Sequence, residues 1–335
     1  MKYTLFRMFF ALAVVLSSVS FVCAQKPEKE RADQADERDE PQSVRTIGAD
    51  PGIVITMCLE SGNIMVVGRD KREVRVSAEE PASISLRPSA SDSALVTGGL
   101  AKRLEILVAA IEKADPLPFG ECRGKSDIDI EVPRGATVYV KTQDGDIEIS
   151  DVAEVRAETT TGNINIQRIA RAVEASSVSG DVALEDSNGR IRLRSISGSI
   201  EAVRAKVVEP NDFLFAKTIS GDVLLEQIAQ ARVEAGTISG EVTLNGLLAQ
   251  GGFYSFKTTT GDITLNLPET SSFQVTAKVS QAGEVVTEFP LKYSSGISTS
   301  DAMSFGKLAG SYGTGTSPAT INLVSFSGTL RLRKK

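Results

Sequence analysis

The chain has 335 residues, 41% of them hydrophobic, a formal net charge of −6 and no histidine. That is enough apolar material for a substantial core, while the lack of His excludes HExxH zinc sites and every hydrolase triad built on an imidazole base. No Trp and 5% aromatic residues leave little for stacking on bases or sugars, and the acidic balance argues against nucleic acid as a partner, because phosphate contact depends on clustered Lys and Arg.

Residues 1–24 read as a secretory signal peptide: Lys2 and Arg7, a short apolar core from Met8 to Leu16, then Val22-Cys23-Ala24 before Gln25. The apolar core falls short of the about 20 residues that cross a bilayer. The expected product is therefore extracytoplasmic (periplasmic, surface-bound or secreted) and not transmembrane, and losing Lys2 and Arg7 takes its net charge to −8. Acylation of Cys23 as a lipoprotein is the alternative, against which stands the bulk of Val22 beside it. Residues 25–42 carry seven acids, four bases and no large apolar residue, the composition of a charged disordered linker. A β-repeat domain is expected over 43–335.

From Ser43 the pattern turns globular. Ile53, Ile55, Met57 and Leu59 alternate toward a turn at Gly62, and Val74 and Val76 mark a further strand. Residues 80–99, rich in Ser, Ala and Pro, read as a loop. Leu100, Leu104, Val108 and Ile111 fit a helical stripe, but Leu104–Val108 also fits a strand, the reading favoured by its surroundings. Cys58 and Cys122 are the two cysteines that remain after signal removal, a candidate disulfide in an oxidising compartment; two separate buried thiols are the alternative. Neither stands in a CxxC pair, so redox and thiolate-zinc chemistry lack support.

One phrase then recurs: Ser or Thr, one or two residues, Gly, a small or acidic residue, and an apolar pair at i, i+2. Clear copies are Thr142-Gln-Asp-Gly145-Asp-Ile147, Thr160-Thr-Gly162-Asn-Ile164, Ser177-Val-Ser-Gly180-Asp-Val182, Ser195-Ile-Ser-Gly198-Ser-Ile200, Thr218-Ile-Ser-Gly221-Asp-Val223, Thr237-Ile-Ser-Gly240-Glu-Val242 and Thr259-Thr-Gly261-Asp-Ile263. Another reads Ser187-Asn-Gly189-Arg-Ile191, and weaker copies surround Gly62 and Gly328. The glycines permit the left-handed backbone of a tight turn, and the apolar pair is a half-buried strand. Spacings of 17, 18, 18, 23, 19 and 21 residues from Gly145 to Gly261 suit one turn of a β-solenoid, whose repeats bury their apolar faces only by stacking. The expected fold is all-β, a solenoid or right-handed parallel β-helix; an antiparallel meander or sandwich using the same turns as hairpins is the alternative.

Val132-Pro-Arg-Gly-Ala-Thr-Val138 followed by these phrases resembles the putative adhesin family of bacterial extracytoplasmic β-strand-repeat proteins, a DUF4097-like domain of unknown biochemical function. The likeness covers about 44–332 and is strongest over 126–268. It implies a β-solenoid-like domain at the cell envelope and supplies no catalytic residues. Residues 269–318 depart from the compact repeat, which puts the continuity of the solenoid there in question.

Three patterns bear on chemistry. Ser304-Phe-Gly-Lys307 matches Ser-x-x-Lys but lacks the Lys-Thr-Gly and Ser-Asp-Asn partners that chemistry needs. Asp146, Asp181, Asp222, Glu241 and Asp262 hold equivalent positions about 4.8 Å apart on a solenoid edge, which suggests a calcium ladder or a glycosidase pair; turn capping is the simpler role, with Asn163, Arg190 and Ser199 relieving like-charge repulsion. Thr159–Thr161 and Thr258–Thr260 suit strand ends better than a flat Thr ligand surface. The reading is thus a non-enzymatic exported protein with no catalytic, metal or cofactor residues and an unspecified envelope ligand (protein, glycan or lipid), acting in adhesion or scaffolding. The alternatives are an envelope sensor and a polysaccharide-active β-helix.

Overall fold

Alternation of apolar and polar residues with turn glycines at every period dictates strands, and the described residues form 25 of them and no helix. The computed structural model describes residues 43–79, 82–88, 99–110, 122–281, 283–293 and 306–335. The signal peptide, the linker, Cys23 and Ser304 lie outside these residues.

The first part of the chain provides β1 (Ser43–Ser61), β2 (Ile64–Arg69), β3 (Glu73–Ala78), β4 (Ala82–Pro88), β5 (Ala101–Ala110) and β6 (Ile128–Pro133). The repeats follow, two strands to each: β7 (Thr137–Asp144) with β8 (Ile147–Ser150), β9 (Glu154–Thr161) with β10 (Ile164–Gln167), and β11 (Ala172–Ser179) with β12 (Val182–Glu185). Next are β13 (Arg190–Arg194) with β14 (Ile200–Val203), β15 (Phe213–Lys217) with β16 (Val223–Glu226), β17 (Arg232–Gly236) with β18 (Val242–Asn245), and β19 (Phe253–Thr260) with β20 (Ile263–Leu267). Even-numbered strands from β8 to β20 pair in parallel as sheet I, and odd-numbered strands from β7 to β19 as sheet II.

Each chain turn therefore crosses one sheet, rounds a glycine corner and returns through the other. The fold is an all-β, mostly parallel solenoid. Register is strict: Ile147, Ile164, Val182, Ile200, Val223, Val242 and Ile263 are successive partners in sheet I, and all are fully buried. Stacking like on like is what lets a repeat of about 20 residues own a core, since no single repeat can cover its apolar edge.

The ends are not in chain order. In the stack, β1–β2 lies between β5–β6 and β7–β8, and β24 (Ala319–Ser327) with β25 (Leu330–Lys334) lies between β19–β20 and β21–β22. Strands β21 (Phe273–Val279) and β22 (Val285–Thr287) thus form a further rung, so the solenoid continues through part of the 269–318 stretch. Antiparallel strands are added at the ends: β4 on β5 and β3 on β6 at one, and β23 (Lys307–Tyr312) on β21 at the other.

Two sequence expectations need correction. Ala82–Pro88, expected in a loop, is strand β4, because Ile84 and Leu86 alternate and pair with Val108 and Ile106 of β5. Gly189 is not a copy of the repeat turn: Arg190 pairs with Ala172 in sheet II, so this phrase opens a sheet II strand at another corner. Leu104–Val108 lies in strand β5. Among the described residues no helix is long and apolar enough to cross a membrane. Cys58 of β1 and Cys122 are joined as a disulfide, Cα atoms 4.6 Å apart, tying the β1–β2 rung to the segment entering β6.

Candidate functional site

The repeated phrase builds one corner of the solenoid. Gly62, Gly145, Gly162, Gly180, Gly198, Gly221, Gly240, Gly261 and Gly328 stand in a column in which a Cβ on each, from Gly145 upward, would overlap the carbonyl oxygen of the glycine one rung below. Gly180, Gly221 and Gly240 have φ of 152°, 140° and 148°, a region essentially closed to other residues. The Ser or Thr three residues before each turn glycine is buried and bonds the glycine carbonyl one rung below: Thr159 to Gly145 at 3.1 Å, Ser177 to Gly162 at 3.1 Å, Ser195 to Gly180 at 3.0 Å, Thr218 to Gly198 at 2.8 Å. Thr258 likewise donates to Gly240, so two of the candidate Thr-surface residues, Thr159 and Thr258, are internal.

The acids after the glycines do a second job at this corner. Asp146 accepts the backbone N–H of Asn163 at 2.6 Å, Asn163 that of Asp181 at 2.9 Å, and Asp181 that of Ser199 at 2.7 Å. The hydroxyl of Ser199 accepts the N–H of Asp222 at 3.3 Å, and Asp222 that of Glu241 at 2.7 Å. Asp262 accepts the N–H of Thr329 at 2.7 Å and pairs with Arg331; burial raises its pKa, these two partners lower it, and the net direction is down. Acid, amide and hydroxyl serve interchangeably, as a ladder of side-chain acceptors for corner amides requires. Arg190 takes no place in it. Among the described residues no group of three or more His, Cys, Asp or Glu is placed to hold a metal ion.

The corners after β8, β10, β12 and β14 carry alternating charge. Asp151, Arg168, Asp186 and Arg204 each adopt φ between 48° and 61°. Arg168 pairs with Asp151 at 2.8 Å and Arg204 with Asp186 at 2.7 Å. The hydrogen bond from Arg168 holds the Asp151 carboxyl below its usual range, and that from Arg204 does the same for Asp186.

The two outer faces differ in charge. Strands β8 to β20 of sheet I carry Glu148, Glu185, Glu201 and Glu226 and no Lys or Arg. Over the same rungs sheet II carries Lys141, Arg156, Arg190, Arg192, Arg194, Lys217, Arg232 and Lys257 against Asp144, Glu154, Glu158, Glu174 and Glu234. Strand β13 contributes Arg190, Arg192 and Arg194 from alternate positions, so all three point outward. Beside them the Phe213 ring lies 5.6 Å from the Arg192 guanidinium, and Phe215 lies 5.6 Å from that of Arg194 and 4.4 Å from the Lys217 ammonium, geometries that hold cations over aromatic faces.

Two residues further along each of these strands, at the corner itself, stand Val178, Ile196, Ile219 and Ile238, exposed by 43%, 47%, 46% and 50%. Together with Arg194, Lys217 and Lys257 they line an open groove of about 510 Å³. Sequence reasoning singled out the glycines and acids of the phrase and passed over this row. Its signal was the residue between Ser or Thr and Ser-Gly, aliphatic in four successive copies although exposed.

The model of the Toastrack DUF4097 family matches residues 63–302. No curated protein matches the chain. Among solved structures it is similar to a putative adhesin from Parabacteroides distasonis ATCC 8503, at 8% identity over 87% of this chain and 96% of that one, TM-score 0.46. It is also similar to a putative adhesin from Bacteroides fragilis NCTC 9343, at 12% identity over 88% and 97% of the chains, TM-score 0.36, and to a putative cell adhesion protein from Clostridium sporogenes ATCC 15579, at 10% identity over 88% and 100%, TM-score 0.20. Likenesses this distant say nothing of ligands. The family match, in contrast, spans well over half of the chain, which belongs to the Toastrack DUF4097 family.

Proposed function

We propose that this protein is exported and serves, without catalysis, in adhesion or scaffolding at the cell envelope, with the outer face of sheet II meeting an anionic envelope component. The observation that carries this reading is the polarity of the seven central rungs: their sheet II strands hold eight Lys and Arg against five acids, while their sheet I strands hold four Glu and no Lys or Arg. Long-range attraction then presents one face to a negative surface and turns the other away. The non-enzymatic part of the reading rests on the turn acids: Asp146, Asp181, Asp222 and Asp262 are engaged by corner amides and Glu241 by the hydroxyls of Thr243 and Thr264.

Pull-down from native envelope separates this reading from its rivals. Arg190→Gln/Arg192→Gln/Arg194→Gln should lose the captured material while melting as wild type does, and Glu185→Gln/Glu201→Gln on sheet I should keep it. Equal capture by all three proteins would refute the assignment of the face. Intact mass of native material tests export: a chain beginning at Gln25 is expected, and a diacylglyceryl adduct on Cys23 would replace it with a lipoprotein.

A further inference from the structure

We propose that the corner row of Val178, Ile196, Ile219 and Ile238, with Arg194, Lys217 and Lys257 beside it, is a docking edge for the surface of an anionic phospholipid bilayer. This rests on the reading of sheet II as the contact face and gives that face its ligand class. Observations on two separate sets of residues converge. The aliphatic side chains occupy the same place on four consecutive rungs and are each 43–50% exposed, a contiguous apolar strip of the sort that marks an interaction site. Its length is three rung spacings, about 14 Å. The cations stand in the neighbouring register position, Arg194 opposite Lys217, which is opposite Gly236, which is opposite Lys257. Among the described residues none of these three cations is ion-paired to a carboxylate.

The arrangement is amphipathic across a few ångströms: an apolar line at the corner, then a basic line. It is the β-solenoid counterpart of an interfacial helix, whose apolar face enters the acyl boundary while Lys and Arg meet acidic headgroups. Charge complementarity selects the occupant. A neutral apolar partner leaves three cations without counter-charge, and a soluble polyanion leaves the aliphatic row in water; an anionic bilayer satisfies both. The rungs are in register, so the row runs along one edge of the stack, and Gly236 interrupts the basic row with a gap between Lys217 and Lys257.

Flotation of the folded protein with vesicles tests this. Binding to phosphatidylcholine vesicles containing phosphatidylglycerol is expected, with little to pure phosphatidylcholine and a fall as salt is raised. Arg194→Gln/Lys217→Gln/Lys257→Gln should weaken it on the order of a hundredfold. Ile196→Ser/Ile219→Ser/Ile238→Ser should weaken it at least about tenfold while the protein stays folded at the assay temperature, because these side chains are already half in water and give up only part of a core residue's burial. Equal binding to both vesicle types, or binding indifferent to the serine variant, would overturn the proposal. Absence of vesicle binding while envelope capture still depends on Arg190, Arg192 and Arg194 would overturn the lipid and leave the contact face standing; capture indifferent to those arginines would remove the face itself.

Discussion

Asp181 accepts the backbone N–H of Ser199, one rung above it, at 2.7 Å. The same bond links Asp222 to Glu241 at 2.7 Å, and in both cases an amide at the edge of the sheet is satisfied by a side chain from a different turn of the solenoid. Such a bond to a charged acceptor contributes about 1.5–3 kcal/mol. Asp222→Ala should therefore destabilise by roughly that amount, whereas Asp222→Asn, which keeps Oδ1, should melt close to wild type. Melts in EDTA and in excess calcium should overlay; a calcium-dependent rise in Tm abolished by Asp181→Asn/Asp222→Asn would make the column a metal site instead.

Gly221 sits at φ 140° against the carbonyl of Gly198. Gly221→Ala adds a Cβ where that oxygen is and forces the rungs apart, at a cost of more than about 1 kcal/mol. Leu225, four residues on and fully buried, should lose about 2–5 kcal/mol as Leu225→Ala. Urea denaturation of both variants checks the register: a wild-type midpoint in either would show that the rungs are misaligned.

Acid should act through the Asp151 corner. Arg168, then Arg134, bind the carboxylate and lower its pKa against the opposing effect of burial. A carboxyl depressed in the folded state adds stability above its unfolded pKa of about 3.9 and loses it as pH falls through the lower folded value. Wild type should thus exceed Asp151→Asn in stability at neutral pH, with a gap that narrows below about pH 4. Asn tolerates the positive φ at this position, so the comparison isolates charge. A gap that stays constant down to acid unfolding would contradict the pairing.

The disulfide between Cys58 and Cys122 closes a loop with a sequence separation of 64, for which chain entropy gives about 4 kcal/mol of stabilisation. Cys58→Ser/Cys122→Ser, or wild type under reductant, should melt well below the oxidised protein. Coincident melts would show that the bridge does not constrain the unfolded chain.

The corner was legible because every part of its phrase touches its own copy one period away. Thr218 reaches Gly198, Asp222 reaches Glu241, and a spacing near 20 residues is all that such contacts need. Gly189 misled because Ser-Asn-Gly-Arg-Ile-Arg-Leu has the right residue types, yet its Cβ direction faces the Arg171 carbonyl and not a glycine. The placement of β1–β2 between β5–β6 and β7–β8 was legible on one side only. The phrase at Gly62 marks a rung, and Ile64 pairs with Ile147, but no periodic mark assigns β5–β6 to its other side. Ile196 and Ile219 were hidden for another reason: in an alternating pattern an exposed isoleucine is indistinguishable from a core one until the strand's inward face is fixed.

The out-of-order ends have a consequence for how the molecule comes into being. Residues 319–334 are synthesised after β21–β23, yet they must take the place between β20 and β22, pairing Ile263 with Leu330 across 67 residues. A solenoid that simply added each new turn to the last could set from one end as it left the ribosome. This one cannot finish until a late segment is threaded home, so completion is deferred until release and its slowest step is a long-range closure. Until then β20 offers an open edge for any passing strand, the state most exposed to misassembly; pairing with β25 covers that edge.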